Sequence, residues 1–288
     1  MGAAAARPGP KSARAWKAYY EAERETLGAA GLADLLERAP RFGLPPRGAL
    51  IFPHTKATVS GTLIAAVARA VVDAGHDEVL ALGVLHGARE DDAELVRRAR
   101  AGDAAARGRL RQVHAPSSPH VAEEFSLDAF VALLAVAAER AGRPPPRVHA
   151  RHPFLVGPTP ADLPGLDELR ALRARGCALL ATTDPVHHGV GYGTAPAEAR
   201  ALDDPSTLDF ARASVDAQLA CLAAHDFHGF EREVTAARSD FRDVGPVLAT
   251  LLEAPFAPTV HALMLVDYAD ALGTPSPTWV AAALVAAG

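Results

Sequence analysis

Apolar positions follow two rhythms along the chain. Short unbroken runs such as Ala49-Leu50-Ile51-Phe52, Glu78 to Leu82 and Cys177 to Thr182 have the length and continuity of buried strands. Between them lie longer stretches in which apolar residues recur at helical spacing. Leu63, Val67 and Val71 mark a helix from Thr62 to Ala74, opened by Ser60-Gly61. Leu127, Phe130, Leu133 and Leu134 mark another from Glu124 to Ala141, stopped by Pro144 to Pro146. Trp16 to Ala39 reads as a helix broken by Pro40 and the Gly43-Leu44-Pro45-Pro46 stretch. Leu166 to Arg175, Leu208 to Ala224, Phe227 to Ala237 and a segment from Pro246 read as further helices. Val148 to Val156, Ala262 to Tyr268 and Trp279 to Ala287 read as strands. Arg89 to Arg111 is charged and Ala-rich, a solvated helix or a mobile insertion.

Strands alternating with helices predict an α/β fold with a mostly parallel central sheet flanked by helices. No internal repeat or linker divides the chain. The expectation is a disordered tail over 1–15, Ala/Pro/Gly-rich at its start, and a single domain over 16–288.

Composition narrows the function classes. The chain has 288 residues, 49% hydrophobic and 22% charged, enough apolar material for a substantial core. A formal net charge of −5 and the absence of a basic stripe with interleaved aromatics argue against a nucleic-acid partner. No apolar stretch is long enough for a bilayer span, and the first residues lack the apolar core of a signal peptide. Cys177 and Cys221 form no CxxC pair. Cys177 lies in an apolar run, as a reduced core thiol does, and a cytoplasmic location follows as an expectation. Oligomeric state is not legible.

Chemistry concentrates at strand ends. His54 follows the run ended by Pro53, and His86 lies just beyond the next strand. If the two strands are parallel, both imidazoles reach the crevice at the carboxyl edge of the sheet, where open α/β folds bind ligands. The plainer alternative is that both merely hydrogen-bond at loop starts. Asp184 and His187 follow a third strand, three apart. A carboxylate there could orient an imidazole for proton transfer, or Asp184 could simply cap a turn. Tyr192 could line the same mouth or only pack. Gly189-Val190-Gly191-Tyr192-Gly193 is a loose match to a dinucleotide loop and carries little.

Several segments together resemble the Memo family, also called AmmeMemoRadiSam system protein B. Ile51-Phe52-Pro53-His54 with Ser60-Gly61 is similar to that family's strand-Pro-His-Ala-Gly and Ser/Cys-Gly start. Leu82-Gly83-Val84-Leu85-His86 resembles Leu-Gly-Pro-Ser-His. Glu124-Phe125-Ser126-Leu127-Asp128 resembles Glu-His-Ser-Leu-Glu, and His152 to Gly157 resembles the Pro-Val-Leu-Val-Gly strand. Thr182-Thr183-Asp184-Pro185-Val186-His187-His188-Gly189 resembles Ser-Ser-Asp-Phe-Ser-His-Tyr-Gly. The order holds from about residue 48 to the C-terminus.

The resemblance implies a class III extradiol dioxygenase-like fold and a cleft lined by His54, His86, Asp184 and His187. It also implies a divalent metal on His54 and His86. The family's third ligand is a cysteine in a Cys-Gly-Arg-x-Pro stretch, which aligns with Arg242-Asp243-Val244-Gly245-Pro246, so the cysteine is absent here. Asp243 then becomes the expected third ligand, with Asp240 in reserve. Two imidazoles and a carboxylate favour Fe(II), while copper and zinc also suit the ligand types. Arg242, His188, Tyr192 and Glu124 are the expected substrate contacts, Arg242 through a bidentate grip on an anionic group. His187 and Asp184 are the expected catalytic pair. Two functions follow: a metal-dependent, dioxygenase-like oxidoreductase acting on a small molecule in the cleft, or a non-catalytic binding protein with a degenerate metal site. Phe125, where the family has histidine, favours the second.

Overall fold

The apolar runs become strands buried on both faces. In the computed structural model, which describes residues 12–45, 47–86, 93–252 and 257–288, β1 (Ala49–Phe52), β2 (Glu78–Leu82) and β5 (Ala178–Thr182) are almost wholly buried. Such runs suit the interior of a parallel sheet covered by helices on both sides. β4 (Arg147–Phe154) lies beside β2, giving a parallel core in the order β4-β2-β5-β1.

Antiparallel strands extend this core at both ends. β3 (Gln112–His114) pairs with β4. On the other side β8 (Thr278–Ala287) runs antiparallel to β1 and pairs also with β6 (Val186–Gly189) and β7 (Pro258–Asp267). The sheet is therefore mixed, parallel in its centre and antiparallel at its margins. The short connection from β7 to β8 makes that pair antiparallel, because a parallel return needs a longer crossover.

Helices cover both faces. α1 (Ala13–Arg38), α2 (Ala57–Asp73) and α5 (Asp128–Arg140) enclose one apolar layer, with Leu50, Phe52 and Phe130 inside it. α6 (Leu166–Ala174), α7 (Pro205–Ala223), α8 (Phe227–Ala236) and α9 (Val244–Leu251) enclose the other, with Ile51, Leu80 and Leu179. Consecutive residues of β1 thus feed opposite layers, as strand alternation requires. Full burial of each large apolar side chain contributes about 1.5–3 kcal/mol. α3 (Ala93–Arg100) and α4 (Ala104–Leu110) form a small satellite layer over Phe154, and α10 (Ala269–Leu272) is one turn between β7 and β8. No helix among the described residues is long and apolar enough to cross a membrane.

Several boundaries differ from the sequence expectation for local reasons. α1 begins at Ala13 because Ser12 accepts from the Ala15 amide at 3.2 Å, so residues 13–15 are helix rather than tail; residues 1–11 lie outside the described residues. α2 begins at Ala57, five residues before the expected Thr62. Its first amides, Ala57 and Thr58, donate to Glu23 on α1 at 3.0 and 3.1 Å, a cap supplied from far away in sequence. α5 begins at Asp128 rather than Glu124, because the Glu124 carboxylate turns back onto the Phe125 and Ser126 amides. The expected charged segment over 89–111 becomes α3 and α4, with residues 87–92 outside the described set.

Candidate metal centre

Three strands of the parallel core deliver the site to one edge. β1 ends at Phe52 and Pro53 leads to His54. β2 ends at Leu82 and Gly83-Val84-Leu85 leads to His86. β5 ends at Thr182 and leads to Asp184. All three exits lie at the carboxyl edge of the sheet. Gly83 is needed on this path, since a Cβ there would lie 2.5 Å from His152 Nε2. A further approach comes from a 3-10 turn, Asp240–Arg242, capped by Ser239, which accepts from the Phe241 amide at 3.1 Å. That turn brings Asp240 against the two histidines.

Each imidazole is fixed from behind. His54 Nδ1 lies 3.1 Å from Thr182 Oγ1, whose own proton goes to the Phe52 carbonyl at 3.0 Å. The hydroxyl therefore accepts, and the His54 proton sits on Nδ1. His86 Nδ1 lies 3.0 Å from Glu124 Oε1. An ionised carboxylate only accepts, so His86 also carries its proton on Nδ1. Burial works against the Glu124 charge, but the adjacent His86 outweighs it and holds the carboxyl at about 2. His187 Nδ1 donates to the Arg238 carbonyl at 2.8 Å. In their neutral forms all three rings thus turn an Nε2 lone pair toward the cleft.

Those lone pairs meet each other and a carboxylate. His54 Nε2 and His86 Nε2 are 3.0 Å apart. Asp240 Oδ2 lies 3.1 Å from the first and 3.6 Å from the second. Asp240 is anchored through its other oxygen, which accepts from Thr183 Oγ1 and the Asp184 amide, both at 2.8 Å. Oδ2 is buried and, among the described residues, faces the two imidazoles with no other hydrogen-bond partner. Ligands about 2.1 Å from one ion are about 3.0 Å apart at right angles and about 3.4 Å apart in a tetrahedron. The three separations span those values, and His54, His86 and Asp240 form a group able to hold a metal ion. Asp184, His187 and Asp240 form a second such group sharing Asp240.

The charge balance agrees. Asp184, Asp240 and Glu124 are all buried or nearly so around the histidine pair. Burial disfavours a charged His86, yet Glu124 and Asp240 overcome it and raise its pKa to about 10. His54 is raised in the same way, against burial, by Asp184 and Asp240. Burial, opposed by His54, pushes Asp184 up to about 7, while Asp240 stays ionised beside the histidines. The site therefore demands positive charge at the point where the Nε2 atoms meet. A proton supplies it in the metal-free protein, and a divalent ion can take that proton's place.

The histidines open onto a cavity of ≈ 170 Å³. Trp16 and Tyr20 of α1, Phe125, Tyr192 and Tyr268 make its walls, and His54, His86, Asp184 and His187 its polar floor. Phe125 stacks on His86 at 4.4 Å between centroids. Tyr20 and Tyr268 join through their hydroxyls at 2.7 Å.

The residues expected from sequence fall into three groups. His54, His86, Asp184, His187 and Tyr192 all line the cavity. Asp184 serves His54 rather than His187, accepting from the His54 amide at 3.1 Å. Glu124 lies behind His86, accepting from its ring and, at 2.8 Å, from its amide. It holds the His86 ring from behind and does not line the cavity. Asp243, Arg242 and His188 point elsewhere. Asp243 accepts from the Leu155 amide at 2.8 Å and pairs with Arg100 at 3.5 Å, tying α9 to the end of β4. The carboxylate at the histidines is Asp240, because the Ser239-capped turn presents that residue to β5. Arg242 donates to Thr235 of α8 at 3.2 Å and is not among the cavity residues. His188 is turned away by strand alternation in β6. Its ring stacks on Trp279 at 4.8 Å and accepts from the Arg200 amide at 3.0 Å. Sequence reasoning missed Trp16, Tyr20, Phe125 and Tyr268 as cavity walls. The aromatic cluster Trp16, Tyr19, Tyr20 was a usable signal in a chain only 6% aromatic.

No family model matches the chain, and no curated protein matches it.

Proposed function

We propose that this protein is a metal-dependent, dioxygenase-like oxidoreductase of the Memo type, holding Fe(II) on His54, His86 and Asp240 and acting on a small molecule. The observation that carries the reading is the convergence of the Nε2 atoms of His54 and His86 on one oxygen, Oδ2, of Asp240. Two imidazoles and one carboxylate are the donor set of non-haem Fe(II) sites. The order of the sequence motifs around His54, His86, Glu124 and Asp184 supports the family assignment. Bound there, iron supplies redox chemistry that no side chain of the cleft provides.

The chain's own groups do the rest. A cavity of ≈ 170 Å³ admits a molecule of roughly single-ring size, since about 150 Å³ accommodates benzene. The aromatic walls exclude water and pack against a flat ligand. His187 is held neutral mainly by burial, and its Nε2 is free to accept a proton from a substrate hydroxyl. Tyr192 packs edge-on against that ring at 4.8 Å and limits its rotation.

The test is anaerobic reconstitution of metal-free protein with Fe(II), followed by metal analysis and oxygen-consumption measurements with small phenols. One equivalent of iron, lost in Asp240→Ala, with oxygen uptake on at least one phenol, is the expected result. Iron binding without uptake on any phenol favours the non-catalytic binding protein. No iron binding at micromolar concentration removes the metal reading.

A further inference from the structure

The opposite edge of the same sheet holds a second, chemically different cluster. Glu78 opens β2. Cys177 immediately precedes β5 and lies level with Glu78, because Val79 pairs with Ala178. His149 sits on β4 opposite Leu80, one side-chain repeat further along the same face. Three adjacent strands thus place a carboxylate, a thiol and an imidazole together. His149 Nε2 lies 3.2 Å from Glu78 Oε1, and Cys177 Sγ lies 3.5 Å from Glu78 Oε2. All three donor atoms are within 4.8 Å of one another. β2 spans about 17 Å at about 3.3 Å per residue, so this cluster is separated from His86 by the length of the sheet.

We propose that Glu78, His149 and Cys177 form a second metal site, selective for a borderline ion of the Zn(II) class. The donor set differs from that of the histidine centre by its sulfur. Thiolate, imidazole and carboxylate together suit zinc, whereas an all-nitrogen and oxygen set does not discriminate against harder ions. Cys177 is a free thiol, 1% exposed, and His149 is nearly buried, so both are held in place by packing. Glu78 is a third exposed and opens the cluster to solvent, giving an entry path and a fourth position for water. Binding balances simply. The thiol proton leaves to solvent, the imidazole proton that Nε2 gives to Glu78 in the metal-free protein moves to Nδ1, and the ion accepts one lone pair from each residue. Among the described residues Arg175 competes for Glu78, reaching Oε2 at 3.5 Å from a side chain more than half exposed. Such a surface pair is worth little, about 0–1 kcal/mol, and the arginine swings into water at small cost. A tetrahedral ion with bonds of about 2.3 Å to sulfur and 2.0 Å to nitrogen needs those atoms about 3.5 Å apart, which modest side-chain rotation provides.

Cobalt(II) titration of the metal-free protein tests this independently of the histidine centre, because among the candidate clusters of the described residues this one contains a thiol and the histidine centre does not. The wild type is expected to develop a thiolate-to-cobalt charge-transfer band in the near ultraviolet that saturates at one equivalent. The band should persist in Asp240→Asn, vanish in Cys177→Ser, and require at least about tenfold more cobalt in Glu78→Gln, the lower end of what even an outer-shell change costs. Glu78→Gln keeps the fold testable if the buried Cys177→Ser does not fold. No thiolate band in the wild type overturns the site. So does a band that survives Cys177→Ser, which would assign it to Cys221, or one unaffected by Glu78→Gln. Loss of the band in Asp240→Asn would mean that the two centres are not separate, which also overturns the proposal.

Discussion

Glu124→Gln isolates the group that sets the His86 tautomer. In the native protein Oε1 accepts from His86 Nδ1 at 3.0 Å and from the Phe125 and Ser126 amides at 2.8 and 2.9 Å. Oε2 accepts from the His86 amide at 2.8 Å. All four groups are donors, and glutamine has one acceptor oxygen and one NH₂. Whichever way the amide turns, NH₂ faces at least one buried donor. That leaves an unsatisfied buried group, worth about 1–3 kcal/mol of stability. If the NH₂ turns to His86 Nδ1, the ring proton moves to Nε2 and the ligand lone pair is lost. If it turns to the His86 amide, the ring keeps its tautomer but loses the anionic partner that raises its basicity. Outer-shell partners of this kind typically affect metal affinity by about ten- to hundredfold, or about 1.4–2.8 kcal/mol. Competition against a chromophoric chelator measures the affinity, and urea denaturation of the metal-free protein measures the stability. An unchanged affinity, within twofold, in a variant of native circular dichroism would refute the tautomer argument.

Metal affinity should rise with pH, by about tenfold per unit where one proton is displaced, up to the His86 pKa of about 10. Metal-free stability should move the other way. His86 is raised from 6.5, so its contribution is complete below that value and is lost as pH rises toward about 10. Chelator competition and urea midpoints across pH 6 to 10 check both signs, and a flat affinity profile contradicts the first. Tyr268→Phe should destabilise by about 1–3 kcal/mol, more than Tyr20→Phe. Tyr268 accepts from the Lys56 amide at 3.1 Å as well as meeting Tyr20, and its loss strands both partners. Equal urea midpoints for the two variants would remove that account.

The parts legible in sequence were those written locally. The continuous apolar runs of β1, β2 and β5 declared themselves, and with them the strand-end positions of His54, His86 and Asp184. The margins of the sheet were harder. β6 is a four-residue strand containing two histidines, and it exists because β8 offers it an edge. The start of α2 depends on Glu23, more than thirty residues away. Cavity walls were harder still, because Trp16 and Tyr20 reach the site only through the packing of α1 over the sheet edge. In each case the deciding partner is distant in sequence, and periodicity reports only on neighbours.

Asp240 and Asp243 show the same limit at the candidate metal centre, and which of them serves it is open to a direct test. They flank a single turn, and both are largely buried carboxylates. Aligning Gly245-Pro246 favoured Asp243. Hydrogen bonding decides otherwise. Asp243 is held away from the histidines by the Leu155 amide and Arg100, and it belongs to neither candidate group there nor to the cavity lining. Asp240 has one oxygen anchored by Thr183 and the Asp184 amide and the other turned to the two imidazoles. Asp243→Ala should therefore cost stability, about 1–3 kcal/mol for the stranded amide, and leave metal affinity within about twofold, since it removes no ligand. Asp240→Ala should abolish measurable metal binding. Its stability cost has two opposing parts, because it strands the Thr183 hydroxyl and the Asp184 amide but also relieves repulsion between two buried carboxylates. Metal affinity rather than stability is therefore the diagnostic. Isothermal titration with Zn(II) in the Cys177→Ser background keeps the sulfur cluster from contributing heat. Metal binding lost in Asp243→Ala and kept in Asp240→Ala would return the ligand role to Asp243, and the geometry of the Ser239-capped turn would then be wrong.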